Sequence, residues 1–73
     1  MNAAQAFNSK THGGTAHMLR HRPTNDGWIV LCHRPNHEHE PYVTWSMDRD
    51  GNTYLGHYFA TRGEAGADYS SRR

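Results

Sequence analysis

Apolar and polar positions form a readable pattern from Trp28 to Tyr69, and that stretch predicts three strands and a helix. Trp28, Ile29, Val30, Leu31 and Cys32 make the first run, rich in β-formers and preceded by turn chemistry at Asp26 and Gly27. The run is apolar on both faces, with Trp28, Val30 and Cys32 on one and Ile29 and Leu31 on the other. A half-buried strand alternates more cleanly, so something should cover the second face: the N-terminal segment or another chain. Tyr42 to Met47 and Thr53 to Phe59 predict the second and third strands. Asp48, Arg49, Asp50, Gly51 and Asn52 between them are a hairpin signal, with Gly51 suited to a left-handed position.

A three-residue loop of Arg49, Asp50 and Gly51 sets Met47 opposite Thr53, Trp45 opposite Leu55 and Val43 opposite His57. One face then carries Val43, Trp45, Met47, Leu55 and Phe59. The other carries Tyr42, Thr44, Ser46, Tyr54, Gly56 and Tyr58, with Tyr42 and Tyr58 as cross-strand neighbours. A two-residue turn at Asp50 and Gly51 shifts this register by one and flips the third strand's face. The three-residue loop is preferred because it gathers more apolar residues on one side. The helix follows, with Thr61 and Glu64 spaced as a capping box and Ala60, Ala65 and Tyr69 able to face the sheet. Gly63 and Gly66 weaken it, so it depends on docking, and Ser70 to Arg73 should fray.

Residues 1–26 have little periodicity and are expected to be a flexible arm, leaving 27–73 as the domain. Ala3, Ala4, Ala6 and Phe7 suit one helical turn, stopped by Asn8, Ser9, Gly13 and Gly14. Met18 and Leu19 suit a tethered patch, and Pro23 biases Arg22 away from helix. The expected fold class is α+β: a three-stranded antiparallel β-meander with one C-terminal α-helix on one face.

Composition narrows the function. With 73 residues and 34% hydrophobic, the chain can bury only a thin core, which leaves little room for a deep active site. A formal charge of +1 is far from the basic excess of a typical nucleic-acid binder. No apolar run is long enough to span a membrane and no signal-peptide pattern opens the chain. The single cysteine, Cys32, excludes an intrachain disulfide and fits a reducing, cytoplasmic setting. One lysine against seven arginines is a bias expected of a GC-rich coding sequence, such as an actinobacterial genome or one of its phages.

An antiparallel three-stranded sheet followed by Phe59, Thr61, Glu64 and Ala65 resembles the arm-binding domains of phage tyrosine integrases and the plant ethylene-response DNA-binding domains. It is also similar to small actinobacterial and phage proteins that end in an aromatic, threonine and Glu-Ala pattern. The resemblance covers about residues 42–70. It implies a sheet face that enters the major groove with several basic side chains. Here that face carries tyrosines, Thr44 and Ser46. Arg34, Arg49 and Arg62 lie in loops or at the helix start, and Glu38, Glu40, Asp48 and Asp50 would repel phosphate.

Other chemistry is weaker. Cys32, His33, His37 and His39 are zinc-ligand types, but the spacing matches no common structural pattern, and neighbours on a strand point to opposite faces. Asp48, Asp50, Gly51 and Asn52 resemble part of a calcium loop, without the glycine position and distant glutamate an EF-hand needs. Cys32 lies in a core-like strand where thiols are inert, and His57 falls on the predicted apolar face. No cofactor, metal or enzymatic activity is expected.

The expectation is a small non-enzymatic binding protein, of phage accessory type, that occupies a host or phage protein or self-associates through the first predicted strand. Its contact residues are Tyr42, Thr44, Tyr54, Tyr58 and Arg49, with Trp28 or Ile29 at the edge, because tyrosine and arginine are enriched at interface hot spots. The alternative is a nucleic-acid-binding module that uses the sheet.

Overall fold

A computed structural model describes residues 1–10 and 15–72. The chain runs α1 (Ala3–Ser9), β1 (His17–Pro23), β2 (Gly27–His33), β3 (Tyr42–Asp48), β4 (Thr53–Phe59) and α2 (Arg62–Ser71). The strands form one antiparallel sheet in the order β1-β2-β3-β4. The class is α+β as expected, but with four strands and two helices where the sequence pattern predicts three and one.

Residues 1–10 and 15–26 supply both additional elements and pack with the domain where the pattern predicts an arm; Gly13 and Gly14, expected to stop the first helix, lie outside the described residues. Asn2 and Gln5 close a reciprocal capping box over the start of α1, and Ala3, Ala6 and Phe7 are its buried side. They pack with Val30, Cys32, Val43 and Met47, and the partly buried Met18, Trp28 and Trp45 border that cluster. β1 pairs along β2 with a bulge between Met18 and Arg20. Its polar composition hides it from a pattern search, because an edge strand needs little apolar surface. Arg20 and Arg22 cover the ring of Tyr69, 5.0 and 5.5 Å from its centroid, which lets their stems serve as packing.

β2 is the centre of the molecule, paired with β1 on one side and β3 on the other. Its two apolar faces are both covered: Val30 and Cys32 under α1, Ile29 and Leu31 under α2 with Ala65, Tyr69, Tyr42 and Phe59. The cover foreseen for the second face is the N-terminal segment itself. Self-association through this strand has no free edge to use. The face that the DNA-binding resemblance leaves open, with Tyr42, Thr44 and Ser46, carries α2, and the opposite face with Val43 and Met47 carries α1.

The β3–β4 register follows the three-residue loop at first, with Met47 opposite Thr53 and Ser46 opposite Tyr54. A bulge then intervenes, and Thr44 faces His57, Val43 faces Tyr58 and Tyr42 faces Phe59. The expected pairings of Trp45 with Leu55 and Val43 with His57 therefore fail beyond the turn. Phe59 moves to the α2 face and Tyr58 to the α1 face. The shift occurs at Leu55, whose φ of 52° marks an extra residue opposite Trp45.

α2 is capped by Thr61, whose hydroxyl accepts from the Glu64 amide at 3.2 Å. The hydroxyl also donates to the Glu64 carboxylate at 2.9 Å, so the two side chains meet each other at the helix start. The helix continues to Ser71, beyond the Ser70 at which fraying is expected to begin, and Arg22 donates to the Tyr69 carbonyl at 3.0 Å and to the Arg72 carbonyl; Arg73 lies outside the described residues. A methyl group at Gly63 or Gly66 would meet nothing within 4 Å. Gly63→Ala and Gly66→Ala should each stabilise the fold by up to about 1 kcal/mol, through helix propensity alone. Urea midpoints that fall in both variants would show that these glycines serve the fold in some other way.

Candidate functional site: the β4 edge

The bulge in β4 organises what the surface presents. Tyr54, Leu55 and Tyr58 are 46%, 68% and 43% exposed, and together they supply most of the exposed large apolar side chains of the described residues. β4 is an outer strand of the sheet, so this apolar surface lies along an unpaired edge. The two edges differ in how they are protected. β1 carries Arg20, Arg22, His17, His21 and Pro23 besides its bulge. β4 has a bulge, but no lysine, arginine or proline. Permanent charges and proline on an edge oppose pairing with other chains, and β4 carries neither, His57 being its one titratable side chain besides the tyrosines.

Leu55 is held in its unusual conformation from beneath. Arg72, whose side chain is 8% exposed, donates to the Leu55 carbonyl at 2.6 Å. The same guanidinium donates to the Thr44 carbonyl and hydroxyl, both at 3.0 Å, and to the Ser46 hydroxyl at 3.2 Å. Thr44 in turn donates to an Asp68 carboxylate oxygen at 2.5 Å, and His57 Nδ1 lies 3.0 Å from that oxygen. Burial pushes the Asp68 carboxyl up, but the Thr44 hydrogen bond, His57 and Arg72 outweigh it and hold the group below its ordinary range. A left-handed backbone at a leucine costs about 1–2 kcal/mol. The network below it is what over-determines that strain.

The predicted contact residues separate into three places. Tyr42 is half-buried on the α2 face, its ring 5.1 Å from that of His33. Thr44 is fully buried in the polar network and cannot touch a partner. Tyr54 lies beside Ser46 on the α2 face, whereas Tyr58 lies beside Val43 on the α1 face, so the tyrosines are not one platform. The Arg34 guanidinium sits 4.5 Å from the Tyr58 ring centroid. Arg49 and Trp28 are apart from β4: with Met1, Pro23, Thr24 and Gly27 they line a shallow cleft of about 310 Å³. There Arg49 donates to the Asn25 carbonyl at 3.2 Å.

Leu55 is the residue that pattern reading misplaces, since a plain strand would bury it against Trp45. Only the glycine beside it hints otherwise. A methyl group at Gly56 would come within 2.8 Å of both Trp45 Nε1 and the Tyr58 hydroxyl, so these two rings close over that position.

The reactive residue types are differently placed. Burial pushes the Cys32 thiol up to about 12, with Arg34 only partly countering it, so the group stays protonated at neutral pH. His57 and Thr44 both bond Asp68 and not each other, an arrangement that fastens α2 to the sheet. Among the described residues no group of three or more His, Cys, Asp or Glu side chains is placed to hold a metal ion. No helix of the described residues is long and apolar enough to cross a membrane. Comparison with family models, with curated proteins and with solved structures finds no match to this chain.

Proposed function

We propose that this protein is a small non-enzymatic binding module whose contact surface is the β4 edge, centred on Leu55 with Tyr54 and Tyr58 beside it. The observation that carries this reading is Leu55 itself. A leucine that is both largely exposed and held at a positive φ contributes nothing to the core and strains the backbone. Such outliers persist where a surface is used. Aromatic neighbours add large contact area with little side-chain entropy to lose, which suits a protein partner. A nucleic-acid reading would need an open sheet face, and both faces carry a helix.

Leu55→Asn separates binding from folding. Asparagine tolerates the left-handed region, so the variant should keep its stability or gain up to about 1 kcal/mol. It should nevertheless lose capture of a partner that the wild-type protein retains from a lysate of its own cells. Tyr58→Ala should weaken the same capture without unfolding the domain. Full retention of binding by both variants would refute this surface.

A further inference from the structure

We propose that the β4 edge takes a second copy of this chain, through antiparallel β4–β4 pairing about a two-fold axis at His57. The inference rests on β4 being the contact surface, and it adds the identity of the occupant.

The backbone sets the register. Asp48 N–H donates to the Asn52 carbonyl at 3.0 Å, so the hydrogen bonds between β3 and β4 start at that pair. Alternate residues of an antiparallel strand direct both backbone groups to the same side. Beyond the bulge, His57 pairs with Thr44 and Phe59 with Tyr42. That phase leaves the N–H and C=O groups of Gly56 and Tyr58 on the outer edge. A second β4 centred on His57 pairs Gly56 with Tyr58 of the other copy, twice, and satisfies all of these outward groups. Centring on Gly56 instead would oppose Tyr58 to Tyr54, which lies before the bulge and faces β3. Centring on Tyr58 would push Gly56 beyond the strand end.

Side chains agree with the same register. Gly56 and Tyr58 are on the α1 face, so the rings of Trp45 and Tyr58 that close over Gly56 would extend across the two-fold into one aromatic surface. Leu55, the most exposed apolar side chain of β4, would flank the paired segment at the bulge. His57 would meet its own counterpart on the α2 face, each already paired with its own Asp68. The bulge confines the usable edge to Gly56–Phe59, so the contact falls short of the roughly 800 Å² per partner of a standard interface. Association should be reversible and dependent on concentration.

Sedimentation equilibrium of the full chain over a wide concentration range tests the proposal, with Tyr58→Lys as the edge-blocked variant. Dimerisation that weakens at least tenfold in Tyr58→Lys, at unchanged melting temperature, supports it. A register check uses His57→Cys, because opposed residues of a non-hydrogen-bonded pair lie about 4.5 Å apart at Cα, within disulfide reach. That variant should cross-link to a dimer under mild oxidation, whereas Thr53→Cys should not. A wild-type chain that stays monomeric at every concentration, or equal cross-linking from positions 53 and 57, overturns the proposal. If the chain is monomeric yet Leu55→Asn abolishes partner capture, the dimer falls while β4 stands as the contact surface. If Leu55→Asn and Tyr58→Ala keep full capture as well, both readings fall.

Discussion

Replacing Gly51 with alanine should destabilise the protein by roughly 3 kcal/mol or more, and should do so by displacing α1. Two effects add at this position. Gly51 has a φ of 93°, a conformation that costs an alanine about 1–2 kcal/mol. Its Cβ would also lie 1.9 Å from the Ala6 carbonyl oxygen, a backbone atom that cannot move without the helix. α1 has seven residues and rests on Ala3, Ala6 and Phe7, so it has little stability of its own. Lifting it forfeits the burial of Phe7, about 1.5–3 kcal/mol. Cys32 reports the event, because it is fully buried in the cluster that α1 covers. In Gly51→Ala the urea midpoint should fall and Cys32 should react faster with a thiol reagent under native conditions. Gly51→Asn should behave similarly, since asparagine relieves the backbone strain but keeps the clash. A recovered midpoint in Gly51→Asn would assign the whole effect to φ, and an unchanged Gly51→Ala would show that the turn and α1 do not meet this closely.

The second large effect is expected at Arg72. Its guanidinium serves Thr44, Ser46 and Leu55 at once and lies 4.0 Å from Asp68. Arg72→Ala leaves those groups without their donor and Asp68 without its nearest guanidinium. Removing one partner of a buried charged network typically destabilises by about 3–5 kcal/mol, which is a large share of a small domain's stability. Arg72→Lys should recover little, because an ammonium cannot span four acceptors in the fork geometry of a guanidinium. Hydrogen exchange should show where the loss falls: Gly56–Phe59 and the last turn of α2 should lose protection before β2 does. Uniform loss of protection across the sheet, or a midpoint like wild type, would argue against Arg72 as the residue that fixes β4 and α2 together. Because Arg72 holds the Leu55 carbonyl, the same variant should weaken partner capture.

Much of the interior is legible from residue order. The doubly apolar run from Trp28 to Cys32 requires cover on two sides, and two helices provide it. Thr61 and Glu64 mark a helix start by local hydrogen bonding, and Asp48 to Asn52 mark a turn by the conformations those residues tolerate. These are short-range effects, set by neighbours in the chain. β1 is not legible in the same way. Its side chains read as polar, and Arg20 and Arg22 become packing residues only once Tyr69 is brought beneath them from the other end of the chain.

The candidate site lies further still from what pattern can show. Period-two alternation places Leu55 and Phe59 with Trp45 and Val43 on one apolar face. One inserted residue reverses every assignment after it, so Phe59 turns inward to α2, His57 meets Asp68 and Tyr58 changes face. What the sequence alone determined is the apolar content of β2 and β3, the hairpin and the capped helix, since each follows from local preference and burial. Tertiary structure alone decided the register beyond Leu55, because the bulge is held by Arg72, seventeen residues away along the chain. A contact of that kind exists only after α2 has docked.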